Sequence, residues 1–181
     1  MHLYHILTSL TLPSVALSLP TSPSPTTTTR DDSSPACSLY PYPSPPTNPP
    51  SCWAWETQPG DPSNYCGPTT LSIISSTSST SSTWLNDCSS LRASQVSSNR
   101  DYLLSAYSTQ HFNTLLTSGH CAFQVQPATP PSSDQVYVGG TDVVDVLGSA
   151  IDTAKASGGK NGVDGSMTCA PGEVKWRVVP I

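Results

Sequence analysis

The 181-residue chain carries 7 Lys and Arg against 12 Asp and Glu, a net charge of -5, and charged residues make up only 10% of it. A chain this poor in positive charge lacks the basic footprint that phosphate backbones and anionic lipid surfaces require, so nucleic acid is excluded as a partner. Its length leaves room for one folded domain of about a hundred residues or slightly more and no second one.

Met1 to Ser18 holds the apolar run Leu3 to Leu12, a helix-breaking Pro13, and small residues Ala16 and Ser18 at the positions a signal peptidase prefers. Residues 1–18 therefore read as a secretory leader cleaved after Ser18, and a membrane anchor would need about twenty apolar residues and a charged flank. Residues 19–51 hold ten of the nineteen prolines among Ser and Thr, the composition of an extended, disordered spacer or pro-region. The hydroxyl-rich Thr21 to Thr29 suits O-linked glycans, and Arg30-Asp31-Asp32 reads as a solvated charge cluster. The domain is placed at residues 52–181. It opens on a turn-rich lead-in whose Trp53 and Trp55 either pack on the domain or stack on sugars, as amphipathic aromatics do at wet surfaces.

Tyr65 to Ile74 reads as a first strand, followed by a low-complexity loop from Ser75 to Thr83. Asp87 to Val96 and Tyr102 to Leu116 have apolar residues at helical spacing, in the second case Leu103, Leu104, Tyr107, His111 and Leu115. Cys121 to Gln126 alternates as a strand with Cys121, Phe123 and Val125 on one face. Asp142 to Ser157 is the strongest helix, with Val143, Val146, Leu147, Ala150, Ile151 and Ala154 in one stripe, Thr141 or Asp142 as its cap, and Gly158-Gly159 at its end. Val163 to Cys169 and Val174 to Val178 alternate about Pro171-Gly172 and form a hairpin, with proline and glycine as its central turn residues. Met167 opposite Trp176 would give it a sulfur-aromatic inner face, with Lys175 and Arg177 outside. Strands separated by helices predict an α+β domain, a mainly antiparallel sheet with helices packed on one face.

Behind a leader, the six cysteines Cys37, Cys52, Cys66, Cys88, Cys121 and Cys169 read as oxidised. No Cys-x-x-Cys pair is present, which argues against a zinc site, and no metal or cofactor is expected. Cys37 and Cys52, fifteen apart and upstream of the regular structure, are expected to bond to each other. The other four allow three pairings.

Five features together resemble a known family: Tyr65-Cys66-Gly67, Asp87-Cys88, Gly119-His120-Cys121, the run Gly139-Gly140-Thr141-Asp142-Val143, and Gly165-Ser166-Met167-Thr168-Cys169 followed by Val174-Lys175-Trp176. They are similar to the fungal secreted effectors called necrosis-inducing factors, over about Tyr65 to Val178. That family resembles in architecture the small α/β killer toxins of smut fungi. The resemblance implies a killer-toxin-like fold, an apoplastic effector or toxin, and no established catalytic residues. It favours the pairs Cys66 with Cys169 and Cys88 with Cys121.

Catalytic readings are weaker than structural ones. His120 beside Cys121 could activate a thiol, but adjacent strand residues point to opposite faces. Asp142 and Asp145 share one helical turn, which suits a cap and a first-turn acid better than two carboxylates flanking a cleft. Lys175 and Arg177 suit either an acidic partner or a solvated sheet edge. The expected function is a non-enzymatic, extracellular effector, acting as a monomer on a host protein, glycan or membrane component to modulate cell death. The alternatives are an antimicrobial killer-type toxin and a small hydrolase or polysaccharide-binding module.

Overall fold

The computed structural model describes residues 27–29, 37–43, 52–75, 82–105, 107, 111–128 and 135–181. The leader, most of the Pro-rich stretch and most of the Ser/Thr loop after Ser75 lie outside them. In chain order the elements are β1 (Thr27–Thr29), β2 (Ser38–Tyr40), β3 (Trp53–Glu56), β4 (Cys66–Thr69), β5 (Ser72–Ser75), α1 (Trp84–Ser98), β6 (Tyr102–Ser105), β7 (Asn113–Ser118), β8 (Cys121–Pro127), β9 (Gln135–Val138), α2 (Gly140–Ala156), β10 (Val163–Cys169) and β11 (Glu173–Pro180).

The strands form two sheets. The larger runs β1-β5-β10-β11-β8-β7, with β4 also on β10, and the smaller runs β2-β3-β6-β9. Pairing is antiparallel except for β1 with β5 and β2 with β3. The expected α+β, disulfide-stapled, killer-toxin-like class is thus what the chain adopts, with one difference in its sheet. The stretch read as a spacer supplies two short strands, and the lead-in around Trp53 and Trp55 is itself a strand.

Both sheets and both helices share one core. Val143, Leu147, Ala150 and Ala154 of α2 and Leu85, Cys88 and Leu91 of α1 meet Phe123, Val125, Val163, Val174 and Trp176 of the larger sheet and Ala54, Tyr102, Leu104 and Val136 of the smaller one. The α2 stripe is the predicted one, starting two residues earlier. The helix ends as expected, with the Gly159 N–H donating to Ala154 O at 2.8 Å. Helix α1 starts at Trp84, before the predicted Asp87, because Trp84 is buried and its indole N–H donates to Gly159 O at 3.0 Å.

Two expectations about the elements are corrected. Tyr102 to Leu116 is no helix: Tyr102–Ser105 pairs with β3 and β9, and Asn113–Ser118 with β8. Its apolar spacing fits a helix, but pairing on both flanks of β6 satisfies every backbone group there and overrides that local preference. Tyr65 to Ile74 is two strands, broken at Thr70 and Leu71.

In the hairpin, Met167 lies opposite Val174, and Trp176 lies opposite Gly165. Trp176 is fully buried and its indole N–H donates to Thr69 Oγ1 at 2.7 Å. A Cβ on residue 165 would stand 2.7 Å from the Trp176 ring and 1.9 Å from Thr70 O, so only glycine fits. The turn also differs from expectation, since the Ala170–Pro171 bond is cis and Gly172 has no positive φ.

All six cysteines are bonded, as Cys37–Cys52, Cys66–Cys169 and Cys88–Cys121. Their sequence separations are 15, 103 and 33. Because the restriction placed on the unfolded chain grows with loop length, replacing Cys66 and Cys169 by Ala is expected to cost about 4–5 kcal/mol and replacing Cys37 and Cys52 about 3 kcal/mol. Urea unfolding of the two double variants checks the order, and a larger loss for Cys37 and Cys52 would contradict it.

Candidate functional site

The family-like run Gly139-Gly140-Thr141-Asp142 sits where α2 meets the segment leading into β4. Asp142, three residues into the helix, is 6% exposed. Its Oδ2 accepts the backbone N–H of Gly139 at 2.9 Å, Tyr65 at 2.9 Å and Cys66 at 3.1 Å. With its amide turned to donate, Asn64 satisfies Oδ1. A second buried carboxylate lies alongside: Asp101 Oδ1 accepts the N–H of Ser63 at 2.9 Å and of Gly140 at 2.7 Å. The Thr141 N–H adds a bond to Ser63 O at 3.2 Å.

The two glycines have a steric reason. A Cβ at Gly139 would lie 2.0 Å from Ser63 O, and one at Gly140 2.5 Å from Arg100 O. The helix entry can therefore approach both backbones only without side chains at these positions. Burial holds the Asp142 carboxyl above the ordinary carboxylate range, the N–H groups of Tyr65, Gly139 and Cys66 pull it back down, and Asp145 pushes it up again.

A pocket of about 370 Å³ opens here, lined among others by Asn64, Pro68, Asp142, Asp145, Val146 and Met167. Asp142 and Asp145 thus share a pocket, as their three-residue spacing on a helix allows. Every oxygen of Asp142 is nonetheless occupied by a donor from its own chain. A carboxylate so committed is placed to hold structure, in keeping with the cap reading.

The remaining predicted residues fall elsewhere. Cys121 is bonded to Cys88, and His120 is exposed, its Nδ1 3.1 Å from Asp87 Oδ2 while its backbone N–H donates to the same oxygen at 2.8 Å. These bonds hold the Asp87 carboxyl below its ordinary value. Lys175 is exposed. Arg177 is corrected: it is 3% exposed, with its Nε–H donated to Gln124 Oε1 and its guanidinium 4.5 Å from the Phe112 ring centre. A group so covered presents nothing to a partner.

Trp53 and Trp55 are half-buried on the outer face of the smaller sheet, since Ala54 between them points to the core. Register aligns Trp55 with Tyr40, Leu103 and Tyr137, and Trp53 with Ser38, Ser105 and, through Ser105, Gln135. Tyr42 stacks on Trp55 with centroids 6.1 Å apart and planes at 17°, and Tyr65 meets Tyr137 at 5.7 Å. Sequence reading missed Tyr40, Tyr42, Tyr65 and Tyr137, although the alternation in Gln135-Val136-Tyr137-Val138 was available as a signal. It also missed Asp101, whose partners are 38 and 39 residues away.

Removing the Asp142 carboxyl strands buried N–H groups, so Asp142→Ala is expected to cost about 3 kcal/mol or more in urea unfolding. Asp142→Asn keeps an acceptor at the Oδ2 position and can donate to Asn64, so its cost is expected below about 1 kcal/mol. Because the folded-state value of Asp142 is raised, its titration adds stability below the ordinary carboxylate value, and that contribution is lost as pH rises through the raised one. Asp142→Asn should remove this part of the pH dependence. Equal stability of the Ala and Asn variants would contradict the role.

The model of a family described as pathogen effector, putative necrosis-inducing factor, matches residues 65–169. No curated protein matches the chain. The matched span holds Asp142, both glycines of the helix entry and the two bonds Cys66–Cys169 and Cys88–Cys121, and it leaves out Trp53, Trp55, Lys175 and the Cys37–Cys52 bond. The match covers more than half of the chain, which belongs to this family of pathogen effectors.

Proposed function

We propose that this effector is secreted and non-enzymatic, and that it acts outside the producing cell on plant tissue by binding a host target and modulating cell death. The observation that carries this reading is the closure of all six cysteines into three disulfides around the family core, a pattern that persists in oxidising, extracellular surroundings. Among the described residues no helix is long and apolar enough to cross a membrane. The leader at residues 1–18 supplies the route. The commitment of Asp142 to backbone N–H groups supports binding over hydrolysis as the mode of action. The killer-toxin-like fold favours one second reading, an antimicrobial toxin acting on competing fungi.

Infiltration of the purified, oxidised protein into leaves is expected to change local cell death, and reduction with alkylation of the thiols is expected to abolish the effect. Retention of the chain inside the producing cell would overturn the proposal. So would fungal growth inhibition without any leaf response, or sugar release from cell-wall polysaccharide that Asp145→Ala abolishes.

A further inference from the structure

The outer face of the β2-β3-β6-β9 sheet carries a row of aromatic and apolar side chains. Tyr40, Trp55, Leu103 and Tyr137 are cross-strand neighbours on four successive strands, so their row extends about 14 Å over three strand spacings. Stacked Tyr42 lengthens it at one end and Tyr65, against Tyr137, at the other. Tyr42, Tyr65 and Tyr137 are 45%, 41% and 42% exposed, values that a core-packing role would not leave. Beside this row runs a second that offers polar groups around Trp53.

We propose that this face binds an uncharged β-1,4-linked glucan chain. Three observations select that occupant. No outward position of the four strands carries a charge, which suits neither an acidic peptide nor a lipid headgroup. The rings present flat, amphipathic surface, which matches the C–H faces of a ribbon whose hydroxyls all lie equatorial. The Trp55 indole N–H is buried without an acceptor among the described residues, and a glucan hydroxyl that gained access to it would satisfy it.

The inference rests on the extracellular reading above only for where such a chain would be met. The test uses the oxidised full-length protein, with retention on microcrystalline cellulose and titration with cellohexaose followed by tryptophan fluorescence. Binding is expected to be saturable and insensitive to salt, as for an uncharged contact. Trp55→Ala and Tyr137→Ala are expected to weaken it about tenfold, while Trp55→Phe retains most of it and Lys175→Ala all of it. The Phe variant separates loss of a ring from loss of the fold.

No retention of the wild-type protein would overturn the proposal. Retention on chitin in place of cellulose, or a concentration-dependent dimer that Trp55→Ala dissolves, would do the same. A leaf response without cellulose binding would remove the glucan and leave the effector reading standing. Cellulose binding without a leaf response would do the reverse.

Discussion

One buried carboxylate joins the start of α2 to a segment 77 and 76 residues earlier in the chain. Asp142 collects the N–H groups of Gly139, Tyr65 and Cys66 on a single oxygen. It thereby closes the start of α2 and fixes the entry of β4 at once. A carboxylate buried this deeply is tolerated only when its lone pairs are met, and here backbone donors and Asn64 meet them. From Cys66 the constraint passes through sulfur to Cys169 on β10, and β10 pairs with β11, which in turn pairs with β8. On the far side, Cys121 of β8 is bonded to Cys88 of α1. Helix, sheet and helix are in this way tied in one circuit, closed where Arg92 of α1 donates its Nε–H to Val144 O of α2 at 3.0 Å; the two glycines beside Asp142 permit its contact and the disulfides make it hard to undo.

That circuit accounts for the motifs that mark the family. Gly139, Gly140 and Asp142 form the contact, Cys66, Cys88, Cys121 and Cys169 close it, and Gly165 leaves room for the Trp176 ring against Thr70. Residues that look like a chemical signature are thus used up in holding shape. What the scaffold can vary is its surface. The smaller sheet is the clearest case, because β2 and β3 lie before the matched span and the Cys37–Cys52 bond fastens them to each other. They extend a sheet whose other two strands, β6 and β9, belong to the family core, and they bring Tyr40, Trp53 and Trp55 alongside Tyr137.

Much of this was legible in the residues. The α2 stripe is readable because six apolar side chains at helical spacing meet one continuous core. β8 and the hairpin strands are readable because they alternate. What failed did so for a common reason, that partners remote in sequence decide the outcome. Leu103, Leu104 and Tyr107 fit a helix until β3 and β9 claim the backbone of Tyr102–Ser105. Alternation assigns residues to faces but does not set register, so Trp176 met Gly165 where Met167 was expected. Arg177 alternates outward on paper, yet Gln124 and Phe112 cover it. The role of Asp142 was half readable: its place in the first turn suggested a cap, while its hold on Tyr65 and Cys66, 77 and 76 residues away, carried no local mark.

We propose that the acidic pocket beside α2 is scaffold and that the aromatic face is where the effector meets its target. The most direct measurement is a dose-response curve of leaf cell death for Asp145→Ala and Trp55→Ala at equal concentrations of folded, fully oxidised protein. The account predicts that Asp145→Ala follows the wild-type curve and Trp55→Ala is displaced to higher dose. Loss of response in Asp145→Ala with Trp55→Ala unaffected would contradict it.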